Sequence, residues 1–183
     1  GARSHTARLF GIASFRPAAV WGTERGLHAE YNQSRHIGSD KKKHFERTDS
    51  QVDFNFGDAS PDPKQLDANE FSIVWQGSVL APDSGEYEFV IRTQHAARLY
   101  VNDITTPLID AWVKSGDDAE HRGTIRLLGG RPYYIKLEFS KANQGVNDKK
   151  NHESHKPPAK AFIARAWKRP NHTVENIPAR SLS

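Results

Sequence analysis

Histidine is the reactive side chain in best supply, with nine copies in a chain of 183 residues that contains no cysteine. His152 and His155 stand three apart in one polar stretch, and His95 and His121 sit in other turn-like segments. Brought together, His95, His152 and His155 would supply the nitrogen ligands of a zinc or nickel site. No HExxH helix accompanies them, and solvated loop histidines are the commoner reading of such a set. Asp110, Asp117, Asp118 and Glu120 are the carboxylates to consider for the paired acid–base work of glycoside hydrolysis, but nothing in their spacing marks a facing pair. No GxSxG elbow, phosphate-cradling glycine loop or nucleophile–base signature is present. The absence of cysteine removes disulfides, thiolate-bound zinc, iron–sulfur clusters and thiol catalysis. The inventory points away from an enzyme and calls for no cofactor.

The formal charge of +4 is spread along the chain, with Lys41, Lys42 and Lys43 the one solid basic run. A nucleic-acid reader concentrates its charge on one face, so a solvated loop is the better reading and no nucleic-acid partner is expected. No apolar run approaches the roughly 20 residues of a membrane helix, so no membrane insertion is expected. Asn171-His172-Thr173 fits a glycosylation sequon, which matters only in a eukaryotic secretory setting. The chain opens on Gly rather than Met, as a piece taken from a longer protein would.

The elements that must position any site are strands. Residues 1–25 have little periodicity, although Leu9, Phe10, Ile12, Phe15, Val20 and Trp21 give them apolar residues to dock with; they read as an N-terminal extension. From Gly26 onward apolar residues alternate with polar ones in short runs, as half-buried strands require. The runs are Leu27, Ala29 and Tyr31; Val52, Phe54 and Phe56; Phe71, Ile73, Trp75 and Val79; and Tyr87, Phe89 and Ile91. They continue with Leu99 and Val101; Ile125 and Leu127; Tyr133, Ile135, Leu137 and Phe139; and a last strand over 161–167. Pro82-Asp83-Ser84-Gly85 has turn chemistry and predicts a hairpin between its flanking strands; Gly129-Gly130 marks another turn. Seven or eight such strands predict an all-β sandwich or barrel of two antiparallel sheets. Residues 32–51 and 140–160 read as long loops, which are either disordered or used for binding.

The ordered blocks GLHAEY (26–31), RTDSQVDFNFGDASPDP (47–63), NEFSIVWQGSVLAPDSGEYEFVIRT (69–93), ARLYVND (97–103), LIDAW (108–112), GTIRLLGGRPYYIKLEF (123–139) and IPARSL (177–182) resemble the PA14 domain family. The resemblance covers residues 26–183 as one domain. It implies a β-sandwich or barrel with long loops at one end, carried within large exported multi-domain proteins of bacteria. In sugar-binding members two adjacent aspartates hold a calcium ion that meets sugar hydroxyls. The matching positions here are Gln94-His95, which offer one amide oxygen and a nitrogen where calcium wants carboxylate and carbonyl oxygens.

Sugar recognition takes planar aromatics to stack on and fixed polar groups to bond hydroxyls. At the end that the resemblance makes the binding end, Gln94, His95, Asp110, Trp112, Asn143 and Gln144 form that kit. Trp112 has a second reading as a core anchor, and Trp75, in register with Phe71 and Ile73, reads as core. The expectation is a non-catalytic carbohydrate-binding or adhesion module that binds a glycan without the calcium pair, in a periplasmic, surface or secreted protein. The alternative is a structural or docking module that contacts other domains of its parent chain.

Overall fold

Period-two alternation of apolar and polar side chains, with no helical stripe, sets the architecture. The computed structural model describes residues 19, 21–37, 43–113, 119–141 and 161–183. Within them lie eleven strands and one short 3-10 turn at Ala179–Ser181. The strands are β1 (Leu27–Asn32), β2 (Lys43–Asp49), β3 (Asp53–Gly57), β4 (Phe71–Ala81), β5 (Gly85–Arg92) and β6 (Ala96–Val101). They continue as β7 (Ile109–Ala111), β8 (Glu120–Leu127), β9 (Arg131–Lys141), β10 (Ala161–Lys168) and β11 (Val174–Asn176). One sheet has the order β2-β1-β4-β9-β6-β7; the other runs β11-β10-β5-β8, with β3 also paired to β10. Every pairing is antiparallel.

Alternate residues of each strand meet between the sheets. Phe71, Ile73, Trp75 and Val79 of β4 and Ile135, Leu137 and Phe139 of β9 face Tyr87, Phe89 and Ile91 of β5 and Trp167 of β10, all completely or almost completely buried. Each such side chain contributes roughly 1.5–3 kcal/mol by leaving water, so the inward rows hold the sandwich together. Trp75 is core, as its register indicates, and stacks on Phe54 at 6.1 Å.

Three sequence expectations are corrected. His121, read as a turn residue, lies within β8 and pairs with Ile91. The turn at 82–84 does not close a hairpin: β4 belongs to the six-stranded sheet and β5 to the other. The chain crosses between sheets there, and crosses back at 128–130 between β8 and β9. The two crossings are stitched together, Gly129 N donating to Ser84 Oγ at 2.8 Å and Gly130 N to the Ala81 carbonyl at 2.8 Å. Both flanking strands have one fully apolar face, so facing each other across the core buries more surface than lying side by side. The stretch 32–51 is not one long loop either, because β2 occupies its second half and pairs with β1. Its alternation is hidden by polar residues at the positions opposite Ala29 and Leu27: Arg47, itself exposed, and the buried Asp49.

Asp49 anchors a polar cluster here. Its Oδ2 accepts from Tyr31 Oη at 2.6 Å and Trp75 Nε1 at 2.8 Å, and its Oδ1 accepts from Arg47 Nε at 2.7 Å. Arg47 Nη2 also donates to Tyr31 Oη at 2.7 Å while its guanidinium lies 4.6 Å from the Tyr31 ring centroid. Burial first, then the neighbouring Asp49 carboxylate, pushes the Tyr31 phenol far above its usual range. Gly26 lets the chain enter β1 beside this cluster: at φ +105° a Cβ would lie 2.5 Å from the Asp49 carbonyl oxygen.

Candidate functional site

The topology gathers one set of connections at one end of the sandwich. The segments after β1 (33–37), before β4 (67–70), between β5 and β6 (93–95), after β7 (112–113) and after β9 all leave from there. Backbone register shows it: Phe71 pairs with Lys141, Ala96 with Ser140, and Ala97 with Ala111.

This end is braced by polar side chains that hold one connection to the next. Gln33 Nε2 donates to the Glu70 carbonyl, and its Oε1 accepts from Asp67 N at 2.6 Å. Ser140 Oγ donates to the Arg35 carbonyl at 2.6 Å, and Lys141 Nζ to the Ala68 carbonyl at 2.5 Å. Glutamine, serine and lysine each reach a backbone group here, which substitutes for the ladder that loops lack.

Gln94 and His95 lie in the turn between β5 and β6, Gln94 exposed and His95 buried. The His95 ring meets Phe139 edge-on at 6.0 Å, and its backbone N–H donates to Thr93 Oγ1 at 3.1 Å. Its ring therefore forms the floor of this end while Gln94 faces out. Asp110 is exposed on the edge strand β7, where its Oδ1 accepts from Trp112 N at 3.1 Å. Since Ala97 pairs with Ala111, Trp112 stands one step nearer to Gln94-His95. The structure thus brings Gln94, His95, Asp110 and Trp112 to one corner. Asn143 and Gln144 lie outside the described residues; Lys141, from which the chain leads to them, ends β9 at this corner. His152, His155, Asp117 and Asp118 also lie outside the described residues, as do residues 1–18.

Trp112 is half-buried on the outer face and is not part of the core cluster. The Arg98 guanidinium lies 4.1 Å from its ring centroid, a cation–π distance. Arg98 Nη2 is held by Glu138 Oε2 at 3.2 Å, Glu138 Oε1 pairs with Lys136 Nζ at 3.3 Å, and Lys136 lies 4.6 Å from the Tyr100 ring centroid. Burial, then the Glu138 charge, raises the Tyr100 phenol above its ordinary range. These residues alternate outward on β6 and β9, and the sheet register sets them in line with Asp110. One face of the indole is covered by a cation that is itself ion-paired to Glu138.

Sequence reasoning missed Arg98 and Arg35. Arg98 carries a signal only as an outward position in ARLYV; its relation to Trp112 depends on register. Arg35 is exposed at this end, its backbone N–H donating to Glu70 Oε1 at 3.0 Å. Among the described residues no group of three or more His, Cys, Asp or Glu is arranged to hold a metal ion. A separate open cleft of about 390 Å³ lies on the outer face between β1, β4 and the segment 22–26, lined by Thr23, Glu24, His28, Thr48, Gln76 and Ser183. It contains none of the residues expected from the sequence to bind a ligand.

Two sheets of this order with connections gathered at one end define a PA14-type sandwich. The chain belongs to the PA14 domain family, whose model matches residues 23–180. It is 30% identical over 157 residues to the anti-sigma-I factor RsgI3 of Acetivibrio thermocellus, covering 86% of this chain and 21% of that protein. An anti-sigma factor domain-containing protein from Clostridium clariflavum superposes with a TM-score of 0.69 at 24% identity, over 87% of this chain and 47% of that one. The A domain of Epithelial Adhesin 6 from Candida glabrata, solved in complex with Galβ1-3GlcNAc, superposes with a TM-score of 0.64 at 11% identity, over 89% and 88%. That last likeness is one of fold. The chain spans about a fifth of the length of the anti-sigma-I factor it matches.

Proposed function

We propose that this domain is a non-catalytic glycan-binding module of an exported protein, and that it binds at the corner formed by Gln94, Asp110 and Trp112. The observation that carries the reading is Trp112: a partly exposed indole at the loop end, one face against the Arg98 guanidinium and its backbone N–H on the exposed Asp110, at the end where the turn carrying the exposed Gln94 also lies. An aromatic plane with polar groups near it is what a pyranose ring needs, apolar face against indole and hydroxyls against amide and carboxylate. His95 serves from beneath, as a positioning residue. The adhesin of the same fold was solved with a disaccharide bound, which supports the reading at the level of the fold.

Calcium has no part in it. The Gln94-His95 turn presents one neutral amide oxygen and a buried imidazole, which do not fit a hard cation that takes about six to eight oxygens. A glycan array probed in calcium and again in chelator tests the proposal. Binding of a defined set of glycans, unchanged by chelation, is expected; no binding in either condition would overturn it.

A second reading, a docking module, is supported by the two anti-sigma relatives, of which the chain spans 21% and 47%. The apolar segment 9–21 bears on it: Trp21 is half-buried with the Arg25 guanidinium 4.4 Å from its ring centroid, and Leu9, Phe10, Ile12, Phe15 and Val20 lie outside the described residues. An empty array together with measurable affinity for another segment of the parent chain would favour it.

A further inference from the structure

Arg165 differs from every other arginine described in this molecule. It lies on β10 with its side chain between the sheets: its register partner Ile91 and its same-face neighbours Ile163 and Trp167 all belong to the core cluster. Val52 lies alongside, its carbonyl accepting from the Arg165 N–H at 2.9 Å. The residue is 1% exposed. Among the described residues Nε, Nη1 and Nη2 have no hydrogen-bond acceptor. Arg47 and Arg98, by contrast, each hold a carboxylate that is itself 6% exposed.

Burial drives the Arg165 pKa down to about 9, so the group is still a cation at neutral pH. A buried cation asks for two things: acceptors for its five N–H groups and a compensating charge. Water supplies only the first. Ile91, Ile163, Val52 and Trp167 supply neither. A small anion supplies both, and the aliphatic and aromatic walls favour one that is weakly hydrated and carries a single charge.

We propose that Arg165 anchors an internal site for a small monovalent inorganic anion, of the charge and size of chloride, between the two sheets. The site is distinct from the glycan-binding corner and does not depend on that reading. Because β10 pairs with β3, β5 and β11, occupancy stabilises the whole smaller sheet, and by mass action the stability follows the anion concentration.

The test is thermal unfolding of the domain at constant ionic strength, with sodium gluconate exchanged for sodium chloride. A midpoint that climbs by about 5 °C between about 1 and about 100 mM chloride is expected for a site with millimolar affinity. Arg165→Met, which keeps the length and removes the charge, is expected to fold and to melt at a temperature independent of chloride. Crystals grown in bromide are expected to show an anomalous peak beside the Arg165 guanidinium. Equal midpoints in the two salts, or a chloride dependence that persists in Arg165→Met, would overturn the proposal.

Discussion

The molecule builds nearly the same constellation twice, once around a fully buried aromatic ring and once around a partly exposed one. At the first, Arg47 lies over the Tyr31 ring and holds the carboxylate of Asp49; at the second, Arg98 lies over the Trp112 ring and holds the carboxylate of Glu138. Both carboxylates are 6% exposed. The difference lies in the aromatic. Tyr31 is fully buried, and Asp49 bonds a second buried ring, Trp75, so both ring donors of that cluster are satisfied by the protein while Arg47 reaches solvent. Trp112 is partly exposed at the same end of the sandwich as the Gln94 turn. The first set is committed to the fold, whereas the second leaves part of an aromatic ring exposed, where the proposed glycan would stack.

Asp49→Ala should do the most damage, because it removes the acceptor of two buried donors, Tyr31 Oη and Trp75 Nε1, at once. A loss of about 3–5 kcal/mol is expected in denaturant unfolding. At the second set, Arg98→Ala should cost about 1–3 kcal/mol, since Glu138 keeps Lys136 as a partner. It should also loosen the Trp112 ring, visible as a change in indole fluorescence anisotropy. If the two substitutions cost the same, the division between fold and ligand fails. Tyr31→Phe removes one bond to Asp49 and one from Arg47, and about 1–2 kcal/mol is expected.

The alkaline limb of stability is a finer probe. Tyr31 and Tyr100 both have raised phenol pKa values, each chiefly through burial. A folded phenol with a raised pKa stays neutral while the unfolded one ionises near pH ~10. The stability each confers is therefore complete below that value and declines as pH rises through it. Tyr31→Phe should flatten this decline more than Tyr100→Phe, because the Tyr31 shift is the larger. Urea midpoints measured across that range would show the reverse order if the second cluster were the more tightly enclosed.

Much of the fold is legible in the sequence because burial alternates wherever a strand has one wet face. Phe71, Ile73, Trp75 and Val79 show it directly. What is illegible is which strand lies beside which. Pro82-Asp83-Ser84-Gly85 has the same turn chemistry whether the chain folds back beside itself or crosses between sheets, so the expected hairpin is in fact a crossing. β2 is missed because the polar Arg47 and Asp49 stand where alternation calls for apolar residues, so the strand reads in one dimension like a loop. At the candidate corner, Gln94, His95, Asp110 and Trp112 are found through family blocks, and register then places them together. The burial of His95 against Phe139 and the covering of Trp112 by Arg98 come from residues some 44 and 14 positions away in sequence, beyond any local pattern.

The most direct test of the ligand-facing role of the second set pairs two readouts on Trp112→Ala. The strongest glycan from the array is titrated calorimetrically into both proteins, and both are unfolded in urea. Loss of at least about tenfold in affinity is expected, as removal of a stacked aromatic anchor brings, with a stability change below about 1.5 kcal/mol for a half-buried side chain. Unchanged affinity in a variant that folds normally would contradict the account.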